Sequence, residues 1–497
     1  MRRVLPAFTA VLFLLLGTTV YAATFTVTTT ADTNDGTCDA DCSFREAVAA
    51  AIAAATDDDI VFDSSVFSTS QTIILSGTEI VITPNGTLTI TGPGASLLTI
   101  DGNASSRIIS NEGGAVTTIF GIRFTGGNGV GTLNTGRGGA LYNNASSLTI
   151  DSCVVADNTG VNGGGLNNAG AGTLTILNSL IAGNEALTSS GGGLQNFSTS
   201  TLIVDRSLFF NNTVNNTTGG GGAQLNGIVR ISNTTFANNN STAGDGGGIS
   251  SNGADQLLTN VTFSGNTATG EGGGLNRRTT NVTMVVRNCI FAGNTATINP
   301  DVHTNATLTS VGNNIVGIMG TSGGWIGTDL LDTDPMLGPL ADNGGFTQTF
   351  LPMPGSPAIN AGQNCVTDLS CASDNPPFAL TLDQRGLARL SEGTVDIGAV
   401  ETAPGFATVS GSVQTTSGRP NQPVYVTISD GGAFEQTVRT NGFGRFVFVD
   451  VPTGASYTIS AVSKGLGFGV ENVDVNGDVA GVVITENVFS PQLGGKK

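Results

Sequence analysis

The alternation of apolar and polar positions from Phe124 to Asn294 repeats nearly the same phrase seven times. A short apolar run closes on Phe-x-x-Asn or a variant at Ile181-Ala-Gly-Asn184, Phe209-Phe-Asn-Asn212, Phe236-Ala-Asn-Asn239, Phe263-Ser-Gly-Asn266 and Phe291-Ala-Gly-Asn294, with degenerate copies ending at Asn128 and Asn158. From Asn158 on, the copies are 26, 28, 27, 27 and 28 residues apart. A second mark, Gly-Gly-Gly-Leu or a relative, falls between them at Leu141, Leu166, Leu194, Gln224, Ile249 and Leu275. A fixed period this short predicts a solenoid. Three short β-rich runs per period, as in Gly164–Asn167, Thr173–Ile176 and Leu180–Ala182, make it an all-β, right-handed parallel β-helix. The same beat reaches back through Ile73–Leu75, Ile80–Ile82, Leu88–Ile90, Leu97–Ile100 and Val116–Phe124. Nine or ten coils would make a rod roughly 45 Å long. In such a stack the Phe or Ile and the Leu of the two marks point inward onto their copies, and the asparagines form amide ladders along a turn.

The pattern changes at both ends. Residues 23–31 alternate as a strand, and Ser43 followed by Glu46 forms a capping box, in which each side chain satisfies a backbone donor at a helix start. Phe44, Ala47, Val48, Ala51, Ile52 and Ala55 then fall on one helical face. The expectation is an N-terminal cap over residues 23–59, whose helix covers the open edge of the first coil. The β-helix is expected over 60–330 and a non-repeating C-terminal cap over 331–402, followed by a linker at 403–407. Seven short alternating runs over 408–490 predict a small seven-stranded β-sandwich, and 491–497 form a tail. Residues 1–22 carry Arg2-Arg3, the apolar run Val11–Leu16 and the small residues Val20 and Ala22. They read as a secretory signal peptide cut after Ala22, with no later membrane span.

Charge narrows the partners. Cleavage takes the 19 basic residues to 17 against 37 acidic ones, a formal charge of −20. Nucleic acid and anionic lipid are excluded as partners by that field. The six cysteines belong in an oxidising compartment. Cys38 and Cys42 are close enough to bridge, as are Cys365 and Cys371. Cys153 and Cys289 occupy one repeat position 136 residues apart. At about 4.8 Å per coil they are separated by roughly 24 Å, beyond the reach of about 7 Å that a disulfide allows, so both are expected to be free thiols.

Several stretches resemble known families. Cys42-Ser-Phe-Arg-Glu-Ala-Val48 resembles the Cys-Ser-Leu-Arg-Glu-Ala motif at the start of many exported bacterial β-helix proteins, with Phe44 in place of Leu. The Gly-Gly-x-Leu and Phe-x-x-Asn marks are similar to the repeats of chlamydial polymorphic outer-membrane proteins, adhesins with β-helical passengers, although no C-terminal membrane barrel follows. Asn313-Asn-Ile-Val-Gly317, Asp334-Pro-Met-Leu-Gly-Pro339, Gly355-Ser-Pro-Ala-Ile-Asn-Ala-Gly362, Asp383-Gln-Arg-Gly386 and Val395-Asp-Ile-Gly-Ala-Val-Glu401 follow in order. This series resembles the choice-of-anchor Q family of secreted bacterial proteins with a pectin-lyase-like β-helix. The resemblance implies a terminal cap and association with surface anchors. Pro423-Val-Tyr-Val-Thr-Ile428 and Thr440-Asn-Gly-Phe-Gly-Arg-Phe-Val-Phe448 resemble a carboxypeptidase-regulatory-like domain, which implies a spacer with no active site.

Candidate chemistry is sparse. His303, the one histidine, falls outside any triad or metal spacing and reads as a surface or cap residue. Asp383, Arg385, Asp396 and Glu401 read as an ion-paired cap, because irregular segments bury backbone groups that need partners. Asp245 and Glu271 each stand four residues before the aligned Ile249 and Leu275, and so belong to one column on adjacent coils. Their backbones should be about 4.8 Å apart, a spacing compatible with a Ca²⁺ site or a paired-carboxylate glycosidase. Two solvated carboxylates splaying apart is the simpler expectation. No cofactor is implied, Ca²⁺ at Asp245 and Glu271 being the one metal option and no residue reading as catalytic. An outward threonine column, the requirement for ice binding, starts at Thr149 and Thr175 and is broken at Ile203. The expected function is an adhesin-like or glycan-binding protein, secreted or on the outer surface of a bacterium, with polysaccharide or a cell-surface partner as ligand. The alternative is a polysaccharide lyase or glycoside hydrolase working on the β-helix face.

Overall fold

A computed structural model of the chain describes residues 22–487 apart from 55, 218, 254, 279–282, 305–307, 373, 392, 403–405, 417, 419, 421, 433, 465 and 476. The expected signal peptide up to Tyr21, most of the expected linker and the 491–497 tail lie outside the described residues. The rest is a parallel β-helix followed by a β-sandwich. Within the β-helix, parallel pairing begins with Thr24–Val27 against Asp58–Phe62 and ends with Ile315–Val316 against Leu330–Leu331. Nine strands, from Ile80–Ile82 to Val302–Thr304, stack one per coil in one sheet. On the other side each coil contributes two strands. These merge across the corner in Ile228–Ala237 and Gln256–Ser264, so that twenty strands form one broad sheet.

Each coil closes because single residues turn the chain sharply. One corner of the broad sheet is occupied on successive coils by Ser152, Asn178, Arg206, Asn233, Asn260 and Asn288, all with φ between +43° and +55°. Asparagine tolerates this left-handed region better than other non-glycine residues. At the corner before the nine-stranded sheet the chain folds back harder, and there glycine is required. A Cβ added at Gly246 would lie 2.5 Å from the carbonyl oxygen of Ile249.

The interior is built from stacked copies. Phe209, Phe236, Phe263 and Phe291 are fully buried, with successive ring centroids 4.6, 5.0 and 4.9 Å apart and planes within 12° of parallel. Beside them the closing asparagines form the expected ladder. Asn158 Nδ2 donates to Asn184 Oδ1, and the pattern continues through Asn212, Asn239, Asn266 and Asn294 at 2.8–3.0 Å. It ends on Asp301, whose Oδ1 accepts from Asn294 Nδ2 at 2.8 Å. A second ladder, Asn111, Asn143, Asn168 and Asn196, runs through the other end of the core. Cys153 and Cys289 lie in a third column: Cys153 N donates to Ser179 Oγ, Ser179 N to Ser207 Oγ, and Cys289 N to Asn314 Oδ1. Both thiols are buried and free, while Cys38–Cys42 and Cys365–Cys371 are bridged.

The helix spans Phe44–Ala54 and packs Phe44, Ala47, Val48 and Ala51 into the first-coil core. Its capping box is formed, with Ser43 N donating to Glu46 Oε2 at 2.8 Å and Glu46 N to Ser43 Oγ at 3.1 Å. Arg45 forks onto Asp32 and also donates to the carbonyls of Thr78 and Glu79, tying the helix to the coil below.

The segment after the last coil differs from the terminal cap expected. It runs back along the flank of the rod as a strap, held by the corner asparagines. Asn313 Nδ2 donates to Ala361 O, Asn288 Oδ1 accepts from Gln363 N, and Asn260 Nδ2 donates to Asp396 O and Gly398 O. Arg389, fully buried, reaches Asn233 Oδ1. Ile290, Ile315, Ala358 and Ile397 close a small apolar cluster beneath the strap. Beyond it, seven strands form the sandwich, three in one sheet and four in the other, around Val409, Val426, Phe446, Phe448, Tyr457 and Ile459.

Candidate functional site

The nine-stranded sheet places one residue per coil in an outward file. Tyr142, Asn167, Gln195, Gln224, Ser250, Asn276 and His303 are in register. They point away from the core, yet all are buried. The loop leading into each strand folds across them, so that Asn167 Nδ2 donates to Asn162 O at 3.0 Å and Asn276 Nδ2 to Glu271 O at 3.3 Å. Among the described residues the acceptor oxygens of Asn167, Gln195, Gln224 and Asn276 receive no hydrogen bond. Such buried acceptors ordinarily find a partner, and here four recur at one repeat position. The sequence held part of the signal, since Asn167, Gln195 and Asn276 stand one residue after the glycine mark, but a polar residue there reads equally as solvent-facing. Gln224, expected at the mark itself, is instead in register with Gln195, and Ala223 takes the mark position opposite Leu194 and Ile249.

Asp245 and Glu271 lie at the edge of this file. Their coils are adjacent, as the column requires: Gly246 N donates to Glu271 O at 2.9 Å. The carboxylates do not splay into solvent. Asp245 Oδ1 accepts from Glu271 N at 3.0 Å, and its Oδ2 lies 3.8 Å from Arg278 Nη1. Glu271 Oε2 lies 3.0 Å from His303 Nε2. The side chains of Asp245 and Glu271 retain 20% and 29% exposure, so a ligand can reach both.

His303 is neither a surface residue nor part of the strap. It is buried on the strand Val302–Thr304. Asn299 Oδ1 accepts from Thr321 N at 2.9 Å, which turns the amide nitrogen toward His303 Nδ1 at 3.0 Å. Nδ1 is therefore the acceptor and Nε2 carries the hydrogen that faces Glu271. Both ring nitrogens are committed. Histidine acts here as a strut between the last coils and Glu271.

The strap carboxylates also have structural roles. Asp383 accepts from Arg385 Nε at 2.9 Å and from the amide of Glu401 at 3.0 Å. Asp396 Oδ1 accepts from Asn360 N, and its Oδ2 from the amide and hydroxyl of Thr402, each at 2.6 Å. Arg389, which the motifs did not single out, is the buried cation at the centre, 3.9 Å from Glu401 Oε2. Burial pushes Glu401 up to about 7 and Asp396 above the usual carboxylate range. These groups share their hydrogen bonds with the strap backbone and the corner asparagines, as a docking interface requires.

The threonine column begins earlier than expected. Thr89, Thr118, Thr149 and Thr175 are in register on four coils of the broad sheet, followed by Ile203 and Arg230. Among the described residues no group of three or more His, Cys, Asp or Glu side chains is placed to hold a metal ion, and no helix is long and apolar enough to cross a membrane.

No family model matches the chain, and no curated protein matches it. Among solved structures the chain is similar to pectate lyase Pel9A, with 14% identity and a TM-score of 0.39 over 77% of this chain and 97% of that one.

Proposed function

We propose that the chain is an exported, non-enzymatic β-helix protein that binds a neutral glycan or a cell-surface partner along the polar edge from Asn162 to His303. The observation that carries this reading is the fixed role of its one histidine, which has both ring nitrogens occupied between Asn299 and Glu271. A proton-transfer group needs a free position facing substrate, and this histidine has none. Asp245 and Glu271 remain partly exposed and offer acceptors to ligand hydroxyl groups. The chain's net charge of −18 argues against a polyanionic polysaccharide as ligand.

Export is supported by the two disulfides, which persist in oxidising compartments. Membership of the choice-of-anchor Q type is supported by the roles of the motif residues. Ser43, Arg45 and Glu46 build the N-terminal cap, and Asp383, Arg385, Asp396 and Glu401 build the strap. The sandwich, read as carboxypeptidase-regulatory-like, serves as the spacer to an anchor.

A second reading, a carbohydrate-active enzyme, is favoured by the juxtaposition of Asp245 and Glu271 on adjacent coils. The two separate in one experiment. The mature chain is incubated with a panel of neutral and acidic polysaccharides, and bound protein, new reducing ends and unsaturated products are measured. Retention on neutral polysaccharide without products, weakened in Glu271→Ala, is expected. Turnover that disappears in Asp245→Asn or Glu271→Gln would establish the enzyme instead.

A further inference from the structure

A second concave site lies on the broad sheet, away from the Asp245 and Glu271 edge. The register file that carries Thr149 and Thr175 continues as Arg230, Leu257, Val285 and Thr309. Leu257 and Val285 point outward, opposite to Leu258 and Val286 of the core, yet they are only 4% and 7% exposed. They floor a cavity of about 300 Å³ that is walled by Arg230, Asp255, Thr283, Thr309, Asp374 and Asn375. That volume is at the lower end for small-molecule sites, roughly 300–1,000 Å³.

The wall formed by Asp374 and Asn375 comes from the strap and is held in place. Asn375 Oδ1 accepts from the amide of the bridged Cys371 at 3.1 Å, and Arg287 donates to Asp374 O at 2.9 Å. On the opposite wall, Arg230 is already committed to Asp255. Its Nη2 is 2.7 Å from Asp255 Oδ1, and its Nη1 donates to the carbonyls of Val229 and Asp255, both at 2.9 Å. The guanidinium is therefore not a free fork for an anion. The second carboxylate, Asp374, leaves the lining with one more negative than positive charge.

An aliphatic floor with a rim of hydroxyl, amide and carboxylate groups matches a ring that has a C–H face and hydroxyl edges. With Arg230 committed to Asp255 and to two carbonyls, and Arg287 engaged with Asp374, the lining offers an acidic ligand no free guanidinium fork. We propose that this cavity binds a single pyranose unit of a neutral sugar and rejects uronates and sugar phosphates. The ligand class rests on the glycan-binding reading above; the site does not.

The test uses the mature full chain and saturation-transfer NMR with methyl glucoside, methyl galactoside, methyl mannoside, N-acetylglucosamine and galacturonate, followed by titration of whichever sugar binds. Binding of at least one neutral sugar, lowered about tenfold or more in both Val285→Phe and Asp374→Ala, is expected. Val285→Phe fills the floor and Asp374→Ala removes a wall outside the core, so a folding defect in one does not mimic the other. Three results would each overturn the proposal: no saturation by any neutral sugar, preferential binding of galacturonate, or neutral-sugar binding unaffected by both cavity variants. In each case, polysaccharide retention that is sensitive to Glu271→Ala would leave the edge reading standing.

Discussion

Replacing Asn239 by alanine tests whether the internal amide ladder holds the coils together. Asn239 Nδ2 donates to Asn266 Oδ1 at 2.8 Å and to Phe209 O at 2.9 Å. Its Oδ1 accepts from Asn212 Nδ2 at 2.9 Å and Asn212 N at 3.1 Å. Truncation removes all four bonds. On one side the damage is limited, because Asn266 Oδ1 still receives the backbone amide of residue 239 at 3.0 Å. On the other side two donors of Asn212, a fully buried residue, lose their acceptor. A buried donor without a partner costs about 1–3 kcal/mol, so the expected destabilisation is about 4 kcal/mol. Trp325, the one tryptophan, sits 6.2 Å from Phe291 at the end of the ring stack and reports urea unfolding by fluorescence. Coils are stabilised by their neighbours, so the break at Asn239 should lower the midpoint that Trp325 reports three coils away. Thr149→Ala, on the outward file, is the control and should move stability by less than about 0.5 kcal/mol. An Asn239→Ala midpoint equal to the control's, at unchanged slope, would refute the ladder as a source of stability.

Three other outcomes are expected. Burial raises Glu401 from 4.5 to about 7, so the folded chain holds a proton that the unfolded chain has released over that window. The Glu401 contribution to stability should be fully present below about 4.5, fall by about 3 kcal/mol as the pH rises to about 7, and level off above it; identical urea midpoints against pH for Glu401→Gln and the parent would disprove this. Cys153 and Cys289 are fully buried and burial pushes both thiols up to about 12. Iodoacetamide should therefore label neither in the native chain and both in urea, and rapid native labelling would contradict the register. If Asp245 and Glu271 hold Ca²⁺, calcium should raise the melting temperature of the parent and not that of Asp245→Asn; the same response in both would end the metal idea.

Periodicity reads well from one chain because each coil obeys the same sterics. The copies of Phe-x-x-Asn marked which residues stack, and the shared column of Cys153 and Cys289 told free thiols from bridged ones. What the repeat did not show is what happens to residues that leave it. His303 looked isolated because its partners, Asn299 and Glu271, are brought to it by a loop and a neighbouring coil rather than by a motif. The Asn111 ladder was hidden because asparagine one position further along a strand also reads as an outward polar residue. Arg389 gave no signal, since its partners Asn233 and Glu401 are far apart in the chain.

The corner asparagines connect these observations. A left-handed corner needs only a tolerant residue, and glycine would serve with less strain. Asn233, Asn260, Asn288 and Asn313 add something glycine lacks, an amide projecting from the rod at every coil. Each of these amides is bonded to the strap. The strap in turn carries Asp374 and Asn375, the wall of the cavity above Leu257 and Val285. On the earlier coils the corner is Ser152, Asn178 and Arg206, and there the outward file is threonine or isoleucine. At Arg206 the strap already lies beside the corner through residues 378–382, but it is Asp374 and Asn375 that wall the cavity one coil on. The cavity therefore exists where the corner column has been recruited to hold a second segment. That places the specificity of this cavity in the pairing of strap and coil, and explains why the repeat, read alone, shows the Asp245 and Glu271 edge and not this second site.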